Sequence, residues 1–302
     1  MVTRSGGAVR ARRRAVDAME AATCLQMLAV LLQAGAHPVE AWHHLAATGE
    51  QRAEAIAERL RAGDGVVEAL EAEGGAWRDV AAAWEIAATV GAPLADVLRS
   101  VAETLRDAAA GADDVRIALA EPAGTARLLL WMPVAGLFLG LVLGFDTIGA
   151  VTRNPIGAAC LGLGLGLVLA ARAWTRRLLA RAAPPPGTPG LQAELVAVAL
   201  SGGASVERAR RLVSETSVET VDDERVPIVL ELSRSAGVPA VELLRAAAAH
   251  ERHAARVRGR MRAARLSTRL LLPLGVCTLP AFLLLGVAPL LLSVLGSTPL
   301  PT

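Results

Sequence analysis

Lysine and tyrosine are both missing from the sequence, aromatic residues make up only 3% of its 302 positions, and there are three cysteines. Without Lys there is no Walker A loop, whose ammonium must reach the β and γ phosphates, and no Schiff-base or Ser-Lys chemistry. Cys24, Cys160 and Cys277 stand alone in apolar runs. That pattern suggests neither a metal knuckle nor a disulfide framework and reads as small buried hydrophobes. No catalytic, cofactor-binding or metal-binding constellation emerges, so the chain is not expected to be an enzyme or to need a cofactor.

What is present is oil and arginine. Hydrophobic residues make up 53% of the chain and the mean hydropathy is +0.44, which points to a membrane protein. Three uncharged runs are long enough to cross a bilayer core of about 20 residues. "LLLWMPVAGLFLGLVLGF" opens at Leu128, "PIGAACLGLGLGLVLAA" at Pro155, and "LLLPLGVCTLPAFLLLGVAPLLLSVL" at Leu270. They predict transmembrane helices over 127–146, 155–173 and 268–296. The third run contains Pro273, Pro280 and Pro289 and still has the length to span.

Arginine sets the expected orientation, because basic residues beside a span resist translocation. Arg116 and Arg127 precede the first span, Arg172, Arg176, Arg177 and Arg181 follow the second, and six arginines from Arg256 to Arg269 precede the third. All three clusters belong inside, which makes the N-terminus cytoplasmic and the C-terminus external. Residues 1–14 form a basic tail that runs into a soluble helix, since Asp17, Glu20, Gln26 and Gln33 interrupt any signal-like core. Two regions, 15–126 and 191–267, are then cytoplasmic helical modules. The linker "RAAPPPGTPG" at 181–190 is too rich in Pro and Gly for a helix and marks a boundary.

The two modules resemble each other. "TVGAPLADVLRSVAETL" from Thr89 and "SAGVPAVELLRAAAAHE" from Ser235 both carry a Gly-x-Pro break before an amphipathic helix. Leu94, Val97, Leu98, Val101 and Leu105 form one helical stripe, and Ala240, Leu243, Leu244 and Ala247 repeat it. Gly91 and Gly237 suit a left-handed helix end, and Pro93 and Pro239 suit the opening turn of the next helix. Upstream, "LAVLLQAGAHPVEAW" from Leu28 matches "LVAVALSGGASVERA" from Leu195, each a helix ending at Gly35 or Gly203 before a helix carrying Glu40 or Glu207. Downstream, "RLLLWMP" from Arg127 and "RLLLP" from Arg269 each open a span. The repeat unit is a helical module plus a transmembrane helix, and the second span brings the chain back so that both modules fold on one side.

These motifs and this layout resemble the type II secretion F family, the inner-membrane platform proteins of type II secretion systems, type IV pili and Tad or Flp pili. The resemblance gives the F-like assignment to the module at 191–267 and makes the first module a diverged copy. It implies a non-enzymatic platform in the cell membrane. Its expected partners are a cytoplasmic assembly ATPase, pilin-like subunits, membrane lipids, and a second platform protein or further copies of the chain.

Other patterns admit plainer readings. Gly136, Gly140 and Gly144 in the first span, and Gly162 and Gly166 in the second, are spaced for close helix packing in lipid; packing of these two spans on each other is the expected use. "GLGLGLG" lies inside an apolar run and is no nucleotide loop. His250 and His253 read as a solvated face, adjacent His43 and His44 point apart, and "DDE" at 222–224 reads as a loop. The arginines from Arg252 to Arg269 lack interleaved aromatics and abut a span, which favours headgroup contact over nucleic acid. A small transporter or transporter accessory subunit is the competing class, but no span carries a charge in its interior. The expected fold is an all-α integral membrane protein with two cytoplasmic bundles and three transmembrane helices.

Overall fold

The computed structural model describes residues 6–142, 155–181, 187–216, 218 and 225–288, and every regular element among them is helical. In chain order the helices are α1 (Gly6–Gln33), α2 (Pro38–Ala46), α3 (Gln51–Ala62), α4 (Val66–Glu73), α5 (Trp77–Val90), α6 (Leu94–Val142), α7 (Pro155–Arg181), α8 (Leu191–Ser201), α9 (Val206–Glu215), α10 (Arg225–Ala236), α11 (Ala240–Pro273) and the short α12 (Leu279–Phe282). Two π-helical turns, Leu274–Thr278 and Leu283–Val287, flank α12. An all-α membrane architecture is thus the observed class.

The chain divides into two compact units. One, the helical unit, comprises residues 9–114 and 184–259; the other, the apolar unit, comprises 1–8, 115–183 and 260–302. The Pro-rich linker falls at one division, between 183 and 184. The two modules, however, make a single body: Leu28, Trp42, Trp77, Leu98 and Leu105 share one core with Leu191, Leu195, Val198 and Leu244. Helix α8 explains why. Residues Ala193 to Ala199 are all buried, and a helix apolar on every side cannot be covered by one small bundle alone. It packs on α5 of the first module and on α9 of its own.

The internal repeat is visible in backbone hydrogen bonds. Gly35 and Gly203 have φ of 90° and 86°. Ala36 N donates to Leu31 O at 3.1 Å and Ala204 N to Ala199 O at 3.2 Å, while Gly35 N and Gly203 N donate to Leu32 O and Leu200 O. Both α1 and α8 therefore end in the same Schellman turn. Gly91 and Gly237 lie in the left-handed region too, at φ of 72° and 68°. Pro93 and Pro239 stand just before the first helical residue of α6 and α11, and their carbonyls accept from Val97 N and Leu243 N. The repeat therefore pairs α1, α2, α5 and α6 with α8, α9, α10 and α11.

The spacing shifts within the repeat. Gly35 and Gly203 are 168 positions apart, Gly91 and Gly237 only 146. The 22 positions missing from the second copy are accounted for by α3 and α4, which lie between α2 and α5 and pack against both. A register of 168 also corrects the upstream alignment by one residue. Glu40 is equivalent to Arg208 and Trp42 to Arg210, so Glu40 and Glu207 do not correspond.

Three stretches of helix among the described residues are long and apolar enough to cross a membrane: Arg13–Gln33, Ala158–Leu178 and Ala240–Leu285. The second lies on the expected span at 155–173, and helix α7 continues past it to Arg181. The third includes the expected span at 268–296 as far as Leu285. Its prolines remove backbone donors, and the π-helical turns after Pro273 and around Pro280 are where the hydrogen-bond ladder rearranges. The run at 127–146 belongs to α6 as far as Val142; residues 143–146 lie outside the described residues. Arg13–Gln33 is apolar for a different reason. Ala21, Ala22, Cys24, Leu25, Leu28 and Ala29 on α1 are buried in the core shared with α2–α5.

Candidate functional site

The most heavily wired place in the helical unit is a polar node where α6, α8 and α11 meet. Glu194 is the one carboxylate on α8, a helix built mostly of Leu, Ala and Val, and it is 2% exposed. A buried carboxylate needs donors. Ser100 Oγ of α6 donates to Glu194 Oε1, and the Arg252 guanidinium of α11 lies 3.8 Å from Oε2. Arg252 also donates through Nε to Asp107 Oδ2 at 3.1 Å and through Nη1 to Thr104 Oγ1 at 3.2 Å. One turn on, Arg256 Nη2 donates to Asp107 Oδ1 at 2.7 Å. Two arginines at i and i+4 thus clamp one carboxylate, a charge-assisted pairing of the stronger kind.

Its position gives the node its interest. Helices α6 and α11 are the last helices of the two repeats, and each runs without interruption across a division between units, at 114/115 and at 259/260. At 1.5 Å per residue α6 is about 74 Å long and α11 about 51 Å. The node ties them together within the helical unit, at Asp107 and Arg252, a short distance before each leaves it.

Two further ionic sites brace the same unit. Thr188, near the end of the linker, donates to buried Asp79 on α5, which also faces Arg14 of α1 at 3.7 Å. The start of the second repeat is therefore pinned to the first. Arg52 on α3 bonds Glu73 of α4 at 2.6 Å and Asp17 of α1 at 3.1 Å, with Glu20 at 3.8 Å. The hydrogen bond with Glu73 pushes the Arg52 pKa above its ordinary value; burial opposes this, and the charges of Glu73, Asp17 and Glu20 add to it. The cluster fastens α3 and α4 onto α1. Trp42 and Trp77 fill the space beneath, with ring centroids 6.2 Å apart and planes tilted by 56°.

The residues singled out in the sequence distribute as follows. Gly91, Pro93, Gly237 and Pro239 form the two equivalent turns. Among the described residues Gly162 and Gly166 have no neighbour within 4 Å of where a Cβ would be, whereas Gly164 faces Leu285 of the third apolar segment, with an added Cβ only 2.5 Å from Leu285 Cγ. The contact of α7 with the third apolar segment is thus made at Gly164, between the two glycines of the expected stripe. Gly136 and Gly140 fall in α6, and Gly144 and the acidic triplet at 222–224 lie outside the described residues. His250 and His253 are exposed on α11. Among the described residues no group of three or more His, Cys, Asp or Glu is placed to hold a metal ion. The node itself escaped sequence reading, though the lone Glu194 in "LQAELVAVAL" is a signal for it, since a carboxylate in a mostly apolar helix demands a buried partner.

Residues 24–142 match the family model of Type II secretion system (T2SS), protein F. The match supports the type II secretion F family. It begins in α1 and ends with α6, so it covers the first repeat, including α3 and α4, and not the second repeat, to which the sequence reading had given the F-like assignment. The second repeat, shorter by that helical pair, is the abbreviated copy. No curated protein and no solved structure matches the chain.

Proposed function

We propose that the chain is a non-enzymatic inner-membrane platform of a pilus or type II secretion-like machine, of the Tad or Flp kind. In this reading a cytoplasmic assembly ATPase acts on the helical unit, and its motion drives extraction of pilin-like subunits from the membrane into a growing fibre. The N-terminus and both repeats are cytoplasmic and the C-terminus external, as the arginine flanks favour. The observation that carries the reading is the F-family match ending on α6, a helix that leaves the helical unit and continues into an apolar run. Two unbroken helices joined by the Asp107 node suit force transmission, because a helix transmits displacement along its axis without a hinge to absorb it.

The experiment pairs capture with deletion. Tagged full-length protein solubilised from native membranes should bring down a secretion-type ATPase, and deleting the chain should abolish fibres while pilin levels stay near normal. Normal fibres in the deletion strain overturn the reading.

A further inference from the structure

The two repeats touch through one face of each, and the matching faces are left unused. Helix α5 packs on α8, and the turn after α8 backs onto the end of α5: a Cβ added to Gly202 would lie 2.3 Å from Val90 Cγ2. At helical spacing Val90 shares a stripe with Ile86 and Ala82, and Gly202 shares one with Val198 and Leu195. Ala82, Ile86, Leu195 and Val198 are all buried, Ile86 and Val198 at 1% exposure. Carried across the repeat, the first stripe becomes Ile228, Leu232 and Ala236 on α10, and the second becomes Met27 and Val30 on α1 with Ala34 in the turn that follows it. All but Met27, which packs partly against the chain's own core, are open to solvent. Ile228 is 67% exposed, Leu232 51% and Val30 60%; Ala34 and Ala236 are exposed and Met27 half-buried.

This asymmetry defines the contact. A two-fold relation between the repeats would bury both pairs of faces, whereas one pair used and one pair free is the signature of a head-to-tail contact. Such a contact continues into the next molecule. We propose that a second copy of this chain covers the free α10 face with its own α1 face, laying Met27, Val30 and Ala34 of one copy on Ile228, Leu232 and Ala236 of the next.

Both halves of the contact are on the same chain, which selects a second copy over an unrelated partner, and the residues have been exchanged in a compatible way. Where Val90 sits over Gly202 inside the chain, Ala236 would sit over Ala34, so the added Cβ is met by a smaller side chain. The polar node carries over as well. Glu194, Ser100, Thr104 and Arg252 become Gln26, Ala246, His250 and Arg106, so the contact between chains sets an amide in place of the carboxylate. This inference rests on the repeat and is independent of the identity of the ATPase or the fibre.

The test uses full-length protein in native membranes and in nanodiscs. An Ala34→Cys chain and an Ala236→Cys chain, differently tagged, should give a disulfide-linked dimer on mild oxidation only when mixed, which separates the signal from the native cysteines. Val30→Glu should weaken self-association roughly tenfold or more, because it buries a carboxylate without a partner, and Leu232→Arg in the adjoining copy should restore it. Both sites are exposed, so helical content should be unchanged. A monomeric wild type, absence of the mixed cross-link, or a cross-link from Ala236→Cys only to some other protein each overturns the proposal.

Discussion

Glu194 shows what one residue demands of a fold. Its carboxylate sits where apolar side chains otherwise close around α8, held by Ser100 and faced by Arg252. Removing the arginine leaves a buried charge without its counter-ion, a change that costs about 3–5 kcal/mol in comparable buried pairs. Arg252→Ala should therefore lower the stability of the helical unit by about 3 kcal/mol, read from thermal or urea transitions of the helical signal. The double change Glu194→Leu with Arg252→Leu should recover most of the loss, since well-packed apolar residues often replace a buried pair without penalty. An Arg252→Ala protein as stable as the wild type rules out the node as a structural tie. The turns at Gly91 and Gly237 were legible in the sequence because Gly-x-Pro is a local signal. The node was not, because Arg252 and Asp107 stand 145 positions apart and only the packed helices bring them together.

At the scale of elements, helix type and rough extent followed from apolar periodicity, but which face of a helix packs did not. The run around Gly162 places a glycine at every second position from Gly162 to Gly166, so glycine appears on several faces of α7 and a spacing of four selects none of them. The choice was made by Leu285, which occupies the notch at Gly164. Gly164→Val should accordingly disturb the packing of α7 on the third apolar segment and lower the thermal stability or detergent resistance of the membrane part. Gly162→Val and Gly166→Val should leave it nearly unchanged. Equal damage from all three would mean that small size, and not the contact with Leu285, is what the segment requires. Helix α1 teaches the same lesson from the other side. Its length and apolarity suit a span, yet Ala21, Ala22, Cys24, Leu25, Leu28 and Ala29 on it are buried in the core of the helical unit.

For the whole molecule, the all-α membrane class could be read from the chain, and so could the existence of a repeat. Two things could not. One is that the repeats share a core, which depends on α8 being buried on every side. The other is that α3 and α4 are present in one copy only, which the backbone turns reveal through their change of spacing. Together these features give the helical unit one shared core, and α6 and α11 each continue unbroken across a division between units; the proposed role of the protein rests on that continuity. The most direct measurement interrupts those helices at the divisions between units. A short flexible Gly-Ser segment inserted after Asp114 in α6 and after Gly259 in α11 removes mechanical continuity while leaving the core and the node intact. Capture of the assembly ATPase should persist at wild-type levels while fibre assembly falls to the level of the deletion strain. Wild-type fibre yield from the doubly interrupted protein, correctly inserted in the membrane, would contradict the account.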